Sequence, residues 1–184
     1  MRYFRRFRME FDFSERALAE PDLPEGYEFS AWSVDDLDRH AQAKFLSFHE
    51  ELDSMVFPCL GTFEGCQRLM LEIASQRNFL PEATWLVSRC DEHDKIECGT
   101  IQGMANSQES GSVQNIGVIP THRGLGIGRA LMLKALHGFK SIGLQRVHLE
   151  ATAENPVAVE LYRSIGFRLI RTTYKQVTER EQTS

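Results

Sequence analysis

Three glycines on alternate positions, Gly124, Gly126 and Gly128, restrict this chain more than any other feature. Before them, residues 113–119 read as a strand stopped by Pro120. After them, residues 126–140 place Leu131, Met132, Ala135, Leu136 and Phe139 on one helical face, and Gly143 suits the C′ position. A strand–loop–helix joint of this kind leaves no side chains over the turn. Backbone N–H groups and the positive helix end can then face one concavity, which suits an anion such as a pyrophosphate. Other glycine loops fail on spacing. Counted from Gly124, both G-x-G-x-x-G and the P-loop pattern require glycine at position 129, where Arg129 stands. On the glycines alone, an anion cradle and a plain turn stand level.

Around this joint, strand and helix patterns succeed one another. Residues 4–13 alternate, with Phe7, Met9, Phe11 and Phe13 on one side. Residues 27–32 form a second strand pattern. Ser33 suits an N-cap, with a helix to about Glu51 and another over 64–75, closed by Pro81. Residues 84–89 and 96–104 read as strands, as do 147–151 and 167–177. Asn155 and Pro156 suit the cap and first turn of a last helix ending at Gly166. The order predicts an α/β fold, a mixed sheet with helices on its faces.

The 184 residues suit one domain over 1–184, with 1–20 as an extra strand and connector and 178–184 as a polar tail. A net charge of −5 argues against a nucleic-acid partner. The local exception is Arg2, Arg5, Arg6 and Arg8, read first as the wet face of a strand and second as an anion site. Cys59, Cys66, Cys90 and Cys98 form no C-x-x-C pair and are expected to be free, reduced thiols. No apolar h-region opens the chain, and no apolar run approaches the ~18 residues of a membrane span. These features predict a cytoplasmic protein with no membrane partner.

The run Val118-Ile119-Pro120-Thr121-His122-Arg123-Gly124-Leu125-Gly126-Ile127-Gly128 resembles the acetyl-CoA-binding motif of the GNAT superfamily of N-acetyltransferases. Arg123, Gly126 and Gly128 meet that family's R/Q-x-x-G-x-G/A pattern. A second family motif follows in order as Asn155, Ala158, Leu161-Tyr162 and Gly166-Phe167. The resemblance covers about 113–168. It implies a GNAT-like, mostly antiparallel central sheet, splayed at an acyl-CoA cleft between 113–119 and 147–151, with helices on both faces. It implies acetyl-CoA as co-substrate, with Arg123, Gly124, Leu125, Gly126, Ile127, Gly128 and Arg129 around the pyrophosphate. Ile116, Gly117 and Val118 would line the pantetheine arm, and Asn155 would contact it. Gly117 suits a bulge or a close backbone approach, and an amide near Gly117–Val118 would donate to the developing oxyanion. Tyr162 would protonate the departing thiolate, or else simply pack the core. No metal is implied, since displacement on a thioester needs none.

The general base is less determined. Glu150 is the candidate on the cleft-flanking strand; Glu50, Glu51, His49 and His122 are weaker, and His122 is expected to face solvent. Met55, Phe57 and Phe63, within 47–68, would line an acceptor pocket or pack the helices. The acceptor is expected to be a small-molecule or peptide amine. Acylation of an alcohol shares the same site, and the rival from another class is a non-catalytic acyl-CoA sensor or scaffold. Family members often end with two strands, whereas one pattern follows the last helix here. The N-terminal strand is expected either to replace the second, within the chain or across a homodimer, or to lie as an extra edge beside 27–32.

Overall fold

A computed structural model describes residues 2–177; the polar tail expected over 178–184 lies outside the described residues. Seven strands form one sheet: β1 Arg2–Asp12, β2 Tyr27–Ala31, β3 Phe79–Cys90, β4 Lys95–Ala105, β5 Ser110–Val118, β6 Arg146–Thr152 and β7 Arg168–Val177. Their spatial order is β2-β3-β4-β5-β6-β1-β7. Every neighbouring pair is antiparallel except β5 and β6, which are parallel. Five helices complete the fold: α1 Leu37–Phe48, α2 Leu52–Val56, α3 Phe63–Ala74, α4 Ile127–Ser141 and α5 Pro156–Ile165.

Alternate residues of β4 face opposite layers, as a pleated strand requires. Thr100 and Gln102 meet His40 of α1. On the other face, the positions of Gly99 and Gly103 lie against Leu131 and Phe139 of α4. The apolar stripe of α4 is fully buried, and Leu131, Leu136 and Phe139 anchor a core shared with Met9, Phe11, Val147 and Leu149. Burying each such side chain stabilises the fold by roughly 1.5–3 kcal/mol.

The N-terminal strand is not an extra edge beside Tyr27–Ala31. It lies between β6 and β7 and pairs with both, in the same chain. Its odd residues, Met9 and Phe11, enter the α4–α5 core. Its even residues include Phe4 and Arg6, which are buried on the opposite face. The expectation of one wet face therefore fails at Arg6. A strand interior to a sheet with layers on both faces has no side reserved for water.

Smaller differences have local causes. The first helix stops at Phe48, and a separate short helix follows an extended Glu51. Pro81 lies inside β3, where the pairing with β4 breaks between Leu80 and Trp85. An irregularity there accommodates a residue that cannot donate to the ladder.

Candidate active site

β5 and β6 are paired over three residues only, Ser110, Ser112 and the glycine between them, against Arg146, Val147 and His148. Beyond that point they diverge. The opening is a cleft of about 600 Å³, lined on its strand walls by Val113, Asn115, Ile116, His148, Glu150 and Thr152. Tyr162, Asn155 and Ala158 line it from the α5 side; Phe48, Asp53, Phe57 and Leu60 line it from the α1–α3 side.

At the end of β5 the chain turns through the glycine loop. Gly124 and Gly126 have φ of +76° and +84°, with open space where a Cβ would stand. Their requirement is conformational, since L side chains rarely adopt that region. Gly126 caps α4 without a side-chain hydrogen bond, and the first bond of the helix runs from Ala130 N to Gly126 O. The amides of Ile127, Gly128 and Arg129 precede that bond, and a helix supplies them no internal partner. Thr62 and Asn155, by contrast, cap α3 and α5 with their side chains. The α4 terminus therefore fits an external anion, by both its dipole and its open donors.

The Arg123 side chain is engaged elsewhere. Its guanidinium donates to Val118 O, Ser47 O and Glu51 Oε1 at 2.9, 2.9 and 2.6 Å. It clamps the end of β5 to the end of α1, so its contribution to the loop is positional, and Glu51 is occupied as its partner. Arg129 lies at 3.4 Å from Ser164 Oγ. His122 does not simply face solvent; its Nδ1 is 2.7 Å from the Tyr27 hydroxyl. His49 contacts Phe45 O and the exposed Glu50.

Gly117 is a point of close approach. A Cβ there would come within 2.7 Å of Ser47 Cβ and 2.9 Å of the Phe48 ring. The bulge in β5 lies earlier, at Gln114, where the pairing slips between Gln102 and Gly103. Ile119 N donates to Cys98 O. Amides alternate in direction along a strand, so those of Ile116 and Val118 point away from β4, toward the gap, and that of Gly117 does not.

Tyr162 is 8 % exposed, on α5 across from Arg6 and Asp53. Burial and then the Asp53 carboxylate push its phenol well above the usual range, while Arg6 opposes them. The phenol is thus fully protonated at neutral pH and reluctant to ionise. Arg6 donates to Thr152 Oγ1 at 2.5 Å and to Glu150 O at 3.3 Å, and lies 3.7 Å from Asp53. Thr152 in turn donates to Asp53. Glu150 sits on the same cleft wall. Sequence reasoning missed Asp53 and the cleft position of Arg6. The alternation of β1 with aromatics was visible, but its partner strand was not.

Behind β5, Lys44 is fully buried and donates to Gln102 Oε1 and Asn115 Oδ1, both at 2.7 Å. Burial pushes its ammonium down to about 7. Of the residues expected at an acceptor pocket, Phe57 lines the cleft, Phe63 packs in the α1–α3 core and Met55 is exposed. All four cysteines are free thiols. Among the described residues no helix is long and apolar enough to cross a membrane.

The sequence profile of the acetyltransferase (GNAT) family matches residues 49–167. The chain is 30% identical over 170 residues to a mycothiol acetyltransferase of Cellulomonas flavigena, covering 88% of this chain and 46% of that protein. To the mycothiol acetyltransferase of Beutenbergia cavernae it is 29% identical, over 83% of this chain and 49% of that one. It spans at most about half the length of these curated relatives. Its fold is similar to a GCN5-related N-acetyltransferase from Sphaerobacter thermophilus, with TM-score 0.69, 22% identity, and 93% and 50% of the two chains covered. It is also similar to the ribosomal-protein-S18-alanine N-acetyltransferase of Escherichia coli, with TM-score 0.60, 14% identity, and 86% and 98% covered.

Proposed function

The chain belongs to the GNAT family of acetyltransferases, and from that premise we propose that it moves the acetyl group of acetyl-CoA directly to an amine. One observation carries this reading. The uncapped α4 terminus follows the end of β5, the strand that parts from β6 after Ser112, and Tyr162 lines the opening between those two strands.

In this reading the loop from Arg123 to Gly128, with Arg129, holds the pyrophosphate through backbone amides. The β5 amides of Ile116 and Val118 pair with the pantetheine arm, and Val118 N is the donor to the developing oxyanion. That assignment moves the role by one residue from Gly117, whose amide faces β4. Asn155 keeps its helix cap and borders the arm. The amine nitrogen forms the new bond to the thioester carbon, and the carbon–sulfur bond breaks. Tyr162 supplies the proton that the departing sulfur takes up. The Arg6 charge opposes the burial and the Asp53 carboxylate that hold the Tyr162 phenol up, and so eases its transient loss of a proton. Glu150, or water held beside it, accepts the proton that the amine loses. We assign the whole of 1–184 to one acyltransferase domain working in the cytoplasm.

The test is free-thiol release from acetyl-CoA and longer acyl-CoAs against a panel of amines, beside calorimetric titration of CoA. Binding with amine-dependent thiol release is expected. Tight binding with no release from any amine would leave a cofactor-sensing module instead, and no binding of any thioester would overturn both.

A further inference from the structure

The acceptor end of the cleft is built from side chains on two strands and an apolar wall. Arg8 of β1 and Glu150 of β6 stand directly opposite each other in antiparallel register, and both line the cleft. Directly opposed residues hold their Cβ atoms about 5 Å apart. Opposite charges at that separation ordinarily pair. Here neither does: the Arg8 guanidinium and the Glu150 carboxylate make no hydrogen bond or ion pair among the described residues. Two neighbouring charges are already engaged, while Arg171 of β7 stands opposite Arg8 on its other side and Lys175 of β7 feels the Glu150 charge. Arg6 is held by Thr152 and Asp53 on one side of this pair, and Glu10 is bonded to His148 on the other at 2.8 Å.

A cation and an anion side by side, each with open hydrogen-bonding capacity, complement a ligand carrying the opposite charges at the same spacing. We propose that the acceptor is a free amino acid. Its carboxylate would lie on Arg8 and its amine beside Glu150, the group that would also take the proton released on acylation. Phe57, Leu60, Leu69 and Ile73 form the wall above this floor, so the side chain accommodated is apolar. The inference rests on the acetyl-transfer reading above and deepens it by naming the acceptor class. It runs against the net charge of −5, which would favour simple cations. Two charges that line the cleft itself act on a ligand at contact distance, whereas charges spread over the rest of the surface are screened within about 8–10 Å.

The experiment compares apolar L-amino acids with their carboxamides and with alkylamines of matching length, by kcat/KM for thiol release. A charge-assisted contact to the carboxylate favours the acid by on the order of tenfold to a hundredfold. Arg8→Gln is expected to bring that ratio toward one, chiefly through KM, and Arg8→Lys to restore part of it. Titrating the same acid and amide calorimetrically into the protein–CoA complex reads the preference without turnover. Absent turnover with a surviving acid preference would overturn the catalytic reading alone. Carboxamides used as well as acids, or a preference unmoved by Arg8→Gln, would overturn the amino-acid assignment; the former outcome would indicate peptide N-termini.

Discussion

The glycine loop that follows β5 and the β1–β6 wall of the cleft are made of different material. The loop presents backbone, ordered by two positive-φ glycines and left uncapped at α4. The β1–β6 wall presents side chains, and its central hydrogen bond, from Arg6 to Thr152, joins residues 146 apart in sequence. A site of backbone amides depends on local conformation and tolerates many side chains. A site of paired side chains depends on register, so a slip of one residue would turn every group to the other face.

The most drastic way to break this contrast is to remove residues 1–14. That deletion takes away both neighbours' shared strand and should abolish cooperative unfolding altogether, as read by circular dichroism and denaturant titration. A folded, unchanged truncation would mean that β1 is dispensable and that the side-chain wall has another origin.

Tyr162→Phe tests the α5 side of the cleft. It keeps the ring and its contact with Phe167 while removing the proton donor. Turnover is expected to fall about a hundredfold or more, with CoA affinity nearly constant by calorimetry. Unchanged turnover would return Tyr162 to a packing role.

Gly126→Ala sharpens the other side of the comparison. A methyl group meets no atoms there, yet the left-handed backbone costs roughly 1–2 kcal/mol with an L side chain. CoA binding should weaken about tenfold, while discrimination between acceptors stays as in the parent protein.

The smallest effect concerns β5, the strand that walls the cleft and leads into the loop. Lys44, pushed down by burial to about 7, is the group that titrates behind it. Between pH 7 and its ordinary value near 10, the unfolded chain holds a proton that the folded chain has lost. Stability therefore rises with pH through that window, by at most ~1.4 kcal/mol per unit. Denaturant midpoints at pH 7 and 8.5 should show the rise, and Lys44→Met should flatten it. Cys66, pushed up to about 11, opposes the trend only above pH 9.

The same contrast explains what could be read from the chain in advance. The glycine loop, the α4 stripe and the Asn155 cap are local patterns, and each appears within a residue or two of its expected place. Gly117 was legible as either a bulge or a close approach, but not which of the two or which neighbour closes on it, because Ser47 and Phe48 lie far away in sequence. Arg6 was misread as a wet residue because alternation reveals two faces without revealing what covers them. Asp53 carried no signal at all; its place follows from the break between α1 and α2, and from Thr152 across the cleft.

The interior position of β1 also orders events in time. Residues 2–12 have no hydrogen-bonding neighbours until 146–152 and 168–177 have been synthesised, so the sheet cannot be closed as the polypeptide emerges. Met9 and Phe11 must wait in the open until those two strands have emerged, and closure is a non-local step of the kind that slows folding. A ribosome-bound nascent chain halted before residue 146 should expose the N-terminal segment to protease and to chaperones.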